Sequence, residues 1–235
     1  MFRLFRNARF SKIRMQNFNK YFLYAVGEIT LVVIGILIAI QVNQWNEARI
    51  NDIQEQRYLN DLMQDLTQDS TNLAELASEF GEGVRAKRII EAYLNHPIGI
   101  LDSASYYILT QWNVSHDFVA QSTTIEELKS SSQLDLISSN ELRRSLVEQY
   151  NMYEQLSQKL SLGNEKTQEL IDIISRKAKN IEALTENEAM KLLNDSYYIN
   201  KVRLNYYYTQ YNWCLQSLKN CSEILDLLRE ELKQR

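Results

Sequence analysis

The side chains best suited to metal binding or nucleophilic catalysis are few and widely spaced. The chain has two histidines, His96 and His116, and two cysteines, Cys214 and Cys221. Neither histidine has a cysteine or a paired glutamate at ligand spacing, as zinc and di-iron sites require. The sequence also lacks a glycine-rich phosphate loop, a nucleophile elbow and an HExxH motif. We therefore predict a protein that is not an enzyme and uses no metal or cofactor, with both histidines in loops or on the surface.

The two cysteines lie seven residues apart on a predicted helix. This spacing places Cys214 and Cys221 roughly 10 Å apart along one helix face, too far for a disulfide with each other. In an oxidising compartment they could instead form an intermolecular disulfide with a second copy or a partner. The alternative is that both are half-buried thiols that pack as small apolar side chains.

Tyrosines are concentrated near the end of the chain, where Trp213 lies among them. The cluster consists of Tyr197, Tyr198, Tyr206, Tyr207, Tyr208 and Tyr211. A single helix face cannot bury all of them, so some are predicted to face another helix, a ligand or a partner. The candidates for this partner or ligand surface are Tyr206, Tyr207 and Trp213.

Glu28 is a carboxylate inside the most apolar run of the chain, where ionised side chains are costly and usually face protein or water. On a helix it shares one face with Val32, Gly35 and Ala39. The pair Gly35 and Ala39 has the small-xxx-small spacing that lets two helices approach closely. We predict a membrane-helix interface on this face. The alternative is that Glu28, about two turns from the membrane boundary, is hydrated or protonated there without a specific partner.

The element that carries Glu28 is predicted to be a transmembrane helix over residues 21–43. Its apolar run reads YFLYAVGEITLVVIGILIAIQV, and its length matches the roughly 30 Å of a bilayer core. Aromatic residues lie at both ends, as they do at membrane interfaces. A cleaved signal peptide is the first alternative, but the following IQVNQWNE offers no small-x-small cleavage site. A buried helix of a soluble protein is the second, but such helices rarely follow six bases.

Charge is distributed unevenly on the two sides of this segment. Residues 1–20 carry six Lys and Arg and no acid, whereas 20 bases and 29 acids follow the segment, a net charge of −9. The positive-inside rule therefore predicts a cytoplasmic N-terminus, with residues 44–235 on the periplasmic or extracellular side. The basic arm, residues 1–20, also carries apolar side chains suited to an anionic inner leaflet. The acidic remainder is a poor match for nucleic acid.

The fold class is predicted to be all-α, with the membrane helix continuing into an antiparallel bundle over residues 44–235. One Pro and six Gly in 235 residues favour long helices. Gly81 and Gly83 predict a kink or a turn in the continuing helix, and a second helical segment should end before His96 and Pro97. A short helix is expected over residues 103–112.

Three pairs of residues match the capping-box spacing and predict helix starts: Thr123 with Glu126, Ser138 with Glu141, and Thr185 with Glu188. The second of these helices should run from about Ser139 to Gly163 and then either continue or resume as a new helix to Leu184. The final helix is predicted to carry a coiled-coil-like seam at seven-residue spacing. The seam consists of Tyr197, Leu204, Tyr211, Leu218, Leu225 and Leu232.

Two stretches resemble an uncharacterised family of short bacterial membrane proteins, known as a domain of unknown function. The stretches are KYFLYAVGEITLVVIGILIAIQVNQWNEARI at residues 20–50 and TTIEELKSSSQLDLISSNELRRSLVEQYNMYEQL at residues 123–156. The family has a basic N-terminus, a span containing Gly-Glu and a helical outer region. The resemblance implies a bacterial inner-membrane protein and supplies no activity or catalytic residue.

The leading hypothesis is a membrane-anchored, non-enzymatic interaction or scaffold protein. Its expected partners are the lipid bilayer and either further copies of the same chain or another membrane protein. The competing hypothesis is a sensor-like helical bundle that binds a ligand and signals through a membrane partner. It is motivated by the order of basic arm, span and outer helices, which resembles that of chemoreceptors.

Overall fold

The structure is a computed structural model that describes residues 4–95, 116–181 and 184–233, with side chains from residue 21 onward. It is all-α, as predicted, with no strand in the described ranges. The chain divides into two compact units, Met1–Gln54 and Glu55–Arg235. The expected helix over residues 103–112 and the side chains of the basic arm lie outside the described part of the chain.

Helix α1 comprises Leu4–Asn95 and supplies residues to both units. In the first unit, every side chain from residue 21 to residue 54 is exposed. This stretch contains an 18-residue window with a mean hydropathy of 2.4, which makes α1 long and apolar enough to cross a membrane. In this apolar stretch, the hydroxyl of Thr30 donates to the carbonyl oxygen of Val26 at 2.8 Å. Its hydrogen bond is therefore satisfied within the helix.

The second unit is a helical bundle whose core lies between the later part of α1 and two further long helices. After α1 come helix α2 (Thr123–Ser130), a 3-10 turn (Leu134–Leu136) and helix α3 (Asn140–Lys177). Helix α4 (Glu186–Leu193), helix α5 (Ser196–Arg203) and helix α6 (Tyr207–Lys233) follow. Fully buried leucines at three- and four-residue steps line the inward face of α1, including Leu59, Leu62, Leu66 and Leu73.

The long helices run in directions that particular contacts reveal. Along α6, Cys221 meets the backbone of Leu66, and Tyr207 meets Gly83 on α1. The same helix contacts α3 through Gln149 with Ser217 and through Gln210 with Leu160. Helix α6 is therefore antiparallel to both α1 and α3, which run parallel to each other. The predicted antiparallel packing holds for two of these three pairings.

Two of the three predicted helix starts form differently from their capping-box prediction. The Thr123 and Glu126 box is wrong, because Ser122 occupies the N-cap position and no side chain caps α2 there. The Ser138 and Glu141 box is displaced by one residue, since Ser139 caps α3 by accepting from the amide of Leu142. Ser138 does not cap the helix. Its amide and hydroxyl instead both donate to the carboxylate of Glu55, at 2.6 and 2.9 Å.

The third predicted start is confirmed in full. Thr185 accepts from the amide of Glu188, and the Glu188 carboxylate accepts from the amide of Thr185 at 2.9 Å. The same carboxylate also accepts from the Thr185 hydroxyl at 2.7 Å and from the amide of Lys179 at 2.8 Å. A carboxylate with three donors is well compensated, and these hydrogen bonds lower the pKa of Glu188 to about 2.

The predicted single final helix is wrong, because the chain breaks between α5 and α6. The ammonium group of Lys87 donates to the carbonyl oxygen of Arg203 at 2.9 Å and to the side chain of Asn205 at 3.2 Å. The charged donor satisfies a free carbonyl at the end of α5, which stabilises the break. Because of this break, the seven-residue pattern does not follow one face of a single helix, and Tyr197 and Leu204, before the break, are 60% and 72% exposed.

The buried seam of α6 is consequently shifted from the predicted one. It is made by residues alternating at three- and four-residue steps: Tyr207, Gln210, Cys214, Ser217, Cys221, Ile224 and Leu228. Of the predicted seam residues on this helix, Leu225 is buried, while Tyr211, Leu218 and Leu232 are partly buried at its edge.

Gly81 and Gly83 do not end α1, contrary to the predicted turn, because the helix continues through both. They give room to aromatic side chains of α6 instead. A methyl group added at Gly83 would lie 2.8 Å from the Tyr207 ring, whereas one at Gly81 would lie 3.6 Å from Tyr211. The ring of Tyr207 packs edge-on against Phe80 at 5.8 Å between centroids. Gly83 thus sets how closely α6 approaches α1.

Candidate functional site: a buried polar layer around Asp69

A group of polar side chains crosses the core at one level of the bundle, and we call it the polar layer. It consists of Asp69 on α1, Gln149 and Tyr153 on α3, and Ser217 and Cys221 on α6; none is more than 3% exposed. The amide of Gln149 donates to the carbonyl oxygen of Ser217 at 3.0 Å, and the thiol of Cys221 donates to that of Leu66 at 3.2 Å. The layer therefore ties the three long helices together.

A non-helical segment over residues 116–122, which we call the strap, runs along the bundle between α1 and α3, from Glu79 and Asn164 to this layer. The amide of Gln121 donates to Oδ1 of Asp69 at 2.9 Å, and the hydroxyl of Tyr150 donates to the carbonyl oxygen of Gln121 at 2.9 Å. One residue of the strap is thus held by both α1 and α3.

The other end of the strap is fastened through His116. Its amide donates to Oδ1 of Asn164, whose own amide group donates to the carbonyl oxygen of His116, both at 3.2 Å. The imidazole is 6% exposed, packs on Phe80 at 4.3 Å between centroids and lies 3.0 Å from the Glu79 carboxylate. His116 therefore lies outside the helices, as predicted, but in the core rather than on the surface. His96 lies outside the described residues.

Several polar atoms of the layer have no hydrogen-bond partner among the residues that the structure describes. They are Oδ2 of Asp69, Oε1 of Gln149 and the hydroxyl of Ser217, together with Oδ2 of Asp65 one turn earlier on α1. Buried polar atoms without partners are unusual, and a group of them at one level marks a place where stability is given up. Most of these atoms are acceptors, so the layer is suited to hold a proton or another hydrogen-bond donor.

Burial shifts the pKa values of the ionisable groups in and beside the layer. It raises the pKa of Asp69 to about 6, against the lowering effect of the Gln121 amide and with a smaller raising effect from Asp65. Burial also raises the pKa of the phenols of Tyr150 and Tyr153 and of the Cys221 thiol. Asp69 is therefore the group of this set that changes charge closest to neutral pH.

Two open grooves lie on either side of Gln121. The first, of about 500 Å³, has Phe118, Tyr150 and Tyr153 in its lining together with the charged Glu126, Lys129 and Glu154. The second, of about 630 Å³, is lined by polar residues of α1 that include Asp65. Because Gln121 lines the second groove and its neighbours line the first, the strap separates them. Within the described ranges, no group of three or more His, Cys, Asp and Glu residues is arranged to hold a metal ion.

The predicted membrane-helix interface lies in the first unit and precedes the polar layer in the sequence. Glu28, Val32, Gly35 and Ala39 are all exposed in the first unit. A side chain added at Gly35 would meet nothing within 4 Å. The face is thus open in the described structure, and its role as an interface stays a prediction.

The two cysteines lie in the buried seam of α6, and each has 0% exposure. Both are free thiols. Burial raises the pKa of Cys214 to about 12, which keeps it protonated. An intermolecular disulfide at either position would require the core to open, so in this fold the packing alternative describes their surroundings.

The predicted aromatic surface is divided by the structure. Tyr207 is 2% exposed and packs in the core against Gly83 and Phe80, and its burial raises its pKa to about 12. Tyr206 and Trp213 are half-buried, and the ammonium group of Lys159 lies 4.5 Å from the centre of a Trp213 ring. A partner or ligand surface remains a prediction for Tyr206 and Trp213.

Sequence reasoning missed Asp69 and Gln121, although α1 carries a signal for the first. Leu66, Asp69 and Leu73 follow one another at three- and four-residue steps, so Asp69 is a charged residue at a core position of an apolar stripe. Polar side chains at such buried positions usually have a specific hydrogen-bond or ion-pair partner. Gln121 offers no comparable signal, because it contributes its backbone amide and carbonyl rather than its side chain.

The chain belongs to a family of unknown function (DUF6090), whose model matches residues 28–209. The matched region contains Glu28, Asp69, the strap and Tyr150, and it ends before Cys214. The match agrees with the predicted membership of an uncharacterised family. No curated protein and no solved structure matches the sequence.

Proposed function

We propose that this member of the DUF6090 family is a membrane-anchored, non-enzymatic interaction or scaffold protein. The observation that carries the proposal is the exposure of the apolar part of α1. All side chains of residues 21–42 are exposed, including Ile29, Leu31 and Leu37 at 64%, 74% and 59%. Apolar side chains that nothing in the described chain covers are stabilised by lipid or by another apolar helix.

The orientation follows from the charge distribution. Six bases precede the apolar segment, whereas the remainder carries a net charge of −9. We place residues 1–20 in the cytoplasm of a bacterial cell, residues 21–43 in the inner membrane, and residues 44–235 on the periplasmic or extracellular side. The bacterial inner membrane is what the family resemblance implies.

Location and orientation can be tested with fusions to alkaline phosphatase, which is active only outside the cytoplasm. A fusion after residue 235 should be active, while a fusion before residue 1 should be inactive and remain in the membrane after alkaline extraction. Removal of an N-terminal tag from the mature chain would support the signal-peptide alternative instead. Release of the full chain by alkali would overturn the anchor.

Within the membrane, we assign the interaction to the face that carries Glu28, Val32, Gly35 and Ala39. Gly35 permits close helix approach, and a carboxyl group at Glu28 can donate or accept a hydrogen bond across an interface. The partner is a second copy of the chain or another membrane protein.

Cross-linking in native membranes, followed by a pull-down of the full chain, tests this interface. Gly35→Leu should remove the cross-linked species because it fills the contact, and Glu28→Ala should weaken it. Val33→Leu adds bulk on the other side of the helix and is the matched control, for which no change is expected. A wild-type chain that is monomeric and captures no partner would contradict the scaffold proposal.

The second candidate is a ligand-binding bundle that signals through a membrane partner. The polar layer favours it, because unpartnered acceptors lie beside a groove of about 500 Å³ with an aromatic lining. Reproducible thermal stabilisation of the full chain in nanodiscs by a small molecule would support this candidate. The stabilisation should be lost in Tyr153→Ala and kept in Trp213→Ala, which lies outside that groove.

A further inference from the structure

The strap is attached to the polar layer through a group that can change its charge. Asp69 is 0% exposed, and in the described structure its hydrogen bond comes from the strap, from the amide of Gln121 at 2.9 Å. Its second oxygen has no donor. The side chain of Gln121 is itself exposed, so the strap separates a fully buried carboxyl group from solvent.

We propose that the strap is a proton-responsive cover: the protonated form of Asp69 holds it closed, and ionisation of Asp69 releases it and exposes Asp69, Tyr150 and Tyr153 to solvent. The proposal goes beyond anchoring and scaffolding and does not depend on them. It concerns contacts within the second unit only.

The direction follows from the balance of hydration and hydrogen bonding at Asp69. A closed strap withdraws the carboxyl group from water and leaves one of its oxygens without a donor, which disfavours the ionised form. The Gln121 amide favours the ionised form, but a single donor does not replace the lost water. An open strap would let water reach Asp69, so the ionised form is more stable there. Protonation therefore favours closure.

The groups that face Asp69 strengthen this direction. Asp65 lies one turn away on α1, Tyr150 and Tyr153 approach from α3, Cys221 from α6, and the Gln121 amide from the strap. Glu126 of α2 lies near Tyr150. None of these groups is the side chain of a Lys, Arg or His. The described surroundings therefore offer Asp69 no cation that would stabilise its ionised form.

The uncharged contacts of the strap are expected to persist after Asp69 ionises, and they determine which part of the strap can move. The hydroxyl of Tyr150 donates to the carbonyl oxygen of Gln121, and Phe118 packs on Tyr153 at 5.0 Å between ring centroids. At the far end, the pair formed by His116 and Asn164 holds the strap independently of Asp69. The expected motion is therefore an opening of residues 117–122 with the His116 end still attached.

Hydrogen–deuterium exchange of the full chain in nanodiscs, measured between pH 4 and pH 7.5 and corrected for intrinsic exchange, tests the proposal. A shift of the Asp69 pKa from its ordinary 3.8 to about 6 corresponds to an increase in strap opening of up to about 100-fold over this range. Protection of the Gln121 amide should fall accordingly in the wild type. In Asp69→Asn, protection should be independent of pH.

Two further variants separate the cover from general destabilisation. Asp65→Asn keeps Asp69 and should retain the transition, whereas Tyr150→Phe should lower protection at every pH without removing its pH dependence. Amides of α6 serve as the internal reference, since they should not follow the strap. A flat wild-type profile, an unchanged transition in Asp69→Asn, or loss of α6 protection in parallel with the strap would overturn the proposal. If Asp69→Asn does not fold, the wild-type and Tyr150→Phe profiles still decide it.

Discussion

Asp69 and Glu188 are both buried carboxylates, yet their surroundings shift their pKa values in opposite directions. Glu188 is 9% exposed and accepts three hydrogen bonds, from the amide and hydroxyl of Thr185 and the amide of Lys179. Asp69 is 0% exposed and accepts one, from Gln121. The pKa is lowered to about 2 at Glu188 and raised to about 6 at Asp69.

The difference follows from two causes: burial has the larger effect on the pKa of Asp69, and hydrogen-bond donors have the larger effect on the pKa of Glu188. Three donors replace the water that Glu188 loses, and its negative charge becomes part of the start of α4. One donor does not replace the water at Asp69. One site consequently stabilises the fold when ionised, and the other when protonated.

The largest expected effect is on the pH dependence of stability at Asp69. Because its pKa is higher in the folded than in the unfolded chain, its contribution is complete below pH 3.8 and is lost as pH rises through about 6. The full loss amounts to up to about 3 kcal/mol. Asp69→Asn should remove this pH dependence, as measured by chemical denaturation in detergent at pH 4 to 7. An Asp69→Asn variant with the wild-type pH profile would show that another group titrates.

The second prediction concerns the close approach of α6 to α1 at Gly83. Gly83→Ala places a methyl group 2.8 Å from the Tyr207 ring and should lower the free energy of unfolding by about 2 kcal/mol. The matched control is Gly81→Ala, whose added methyl meets Tyr211 at an ordinary 3.6 Å. The control should be neutral or stabilising by up to about 1 kcal/mol, because alanine favours helix. Equal effects at the two glycines would contradict the role assigned to Gly83.

The third prediction removes one hydrogen-bond donor from the Glu188 carboxylate, so that its surroundings become more like those of Asp69. Thr185→Ala removes one donor to the carboxylate and the cap of the Glu188 amide, so it should lower stability by about 1 kcal/mol. It should also raise the pKa of Glu188 from about 2, which moves its acid transition to higher pH. Thr185→Ser keeps the hydroxyl and should behave as the wild type in an acid titration followed by circular dichroism. A cap that can be removed without a change in the acid transition would argue against donor number as the cause.

The smallest effects are expected from two neighbouring phenols on α3. Tyr150→Phe loses the hydrogen bond to Gln121 and should cost about 1 kcal/mol, whereas Tyr153→Phe loses only weaker interactions with the Cys221 and Gln149 side chains and should cost less. Thermal unfolding of both variants in the same detergent provides the measurement. A larger loss in Tyr153→Phe than in Tyr150→Phe would show that the Tyr153 hydroxyl has a partner of importance.

Asp69 and Glu188 also show which structural features can be predicted from the sequence and which cannot. The box at Thr185 and Glu188 was predictable because its partners are three residues apart, and the same local spacing indicates the helical class. The partner of Asp69 lies 52 residues away on a non-helical segment, and no local pattern connects them. The shifted start of α3 has the same origin, since Ser138 is bound by Glu55, 83 residues earlier.

The break between α5 and α6 was missed for a related reason. Seven-residue spacing continues from Tyr197 to Leu232, but Lys87 of α1 binds the end of α5 across 116 residues. The seam on α6 then follows Tyr207 and Cys214 instead of Tyr211 and Leu218. Periodicity identifies the helices here, but tertiary partners decide where they begin and end and which side they bury.

The contact between Cys221 and Leu66 joins residues 155 positions apart and has a consequence for synthesis. The parallel pair α1 and α3 shares its core with α6, which leaves the ribosome after both. Until α6 has emerged, the leucines of α1 around Leu66 lack the helix that covers them, and a chain shortened before Tyr207 never gains it. Folding of the second unit is thus completed only after α6 has been made, and the apolar face of α1 stays uncovered during that interval.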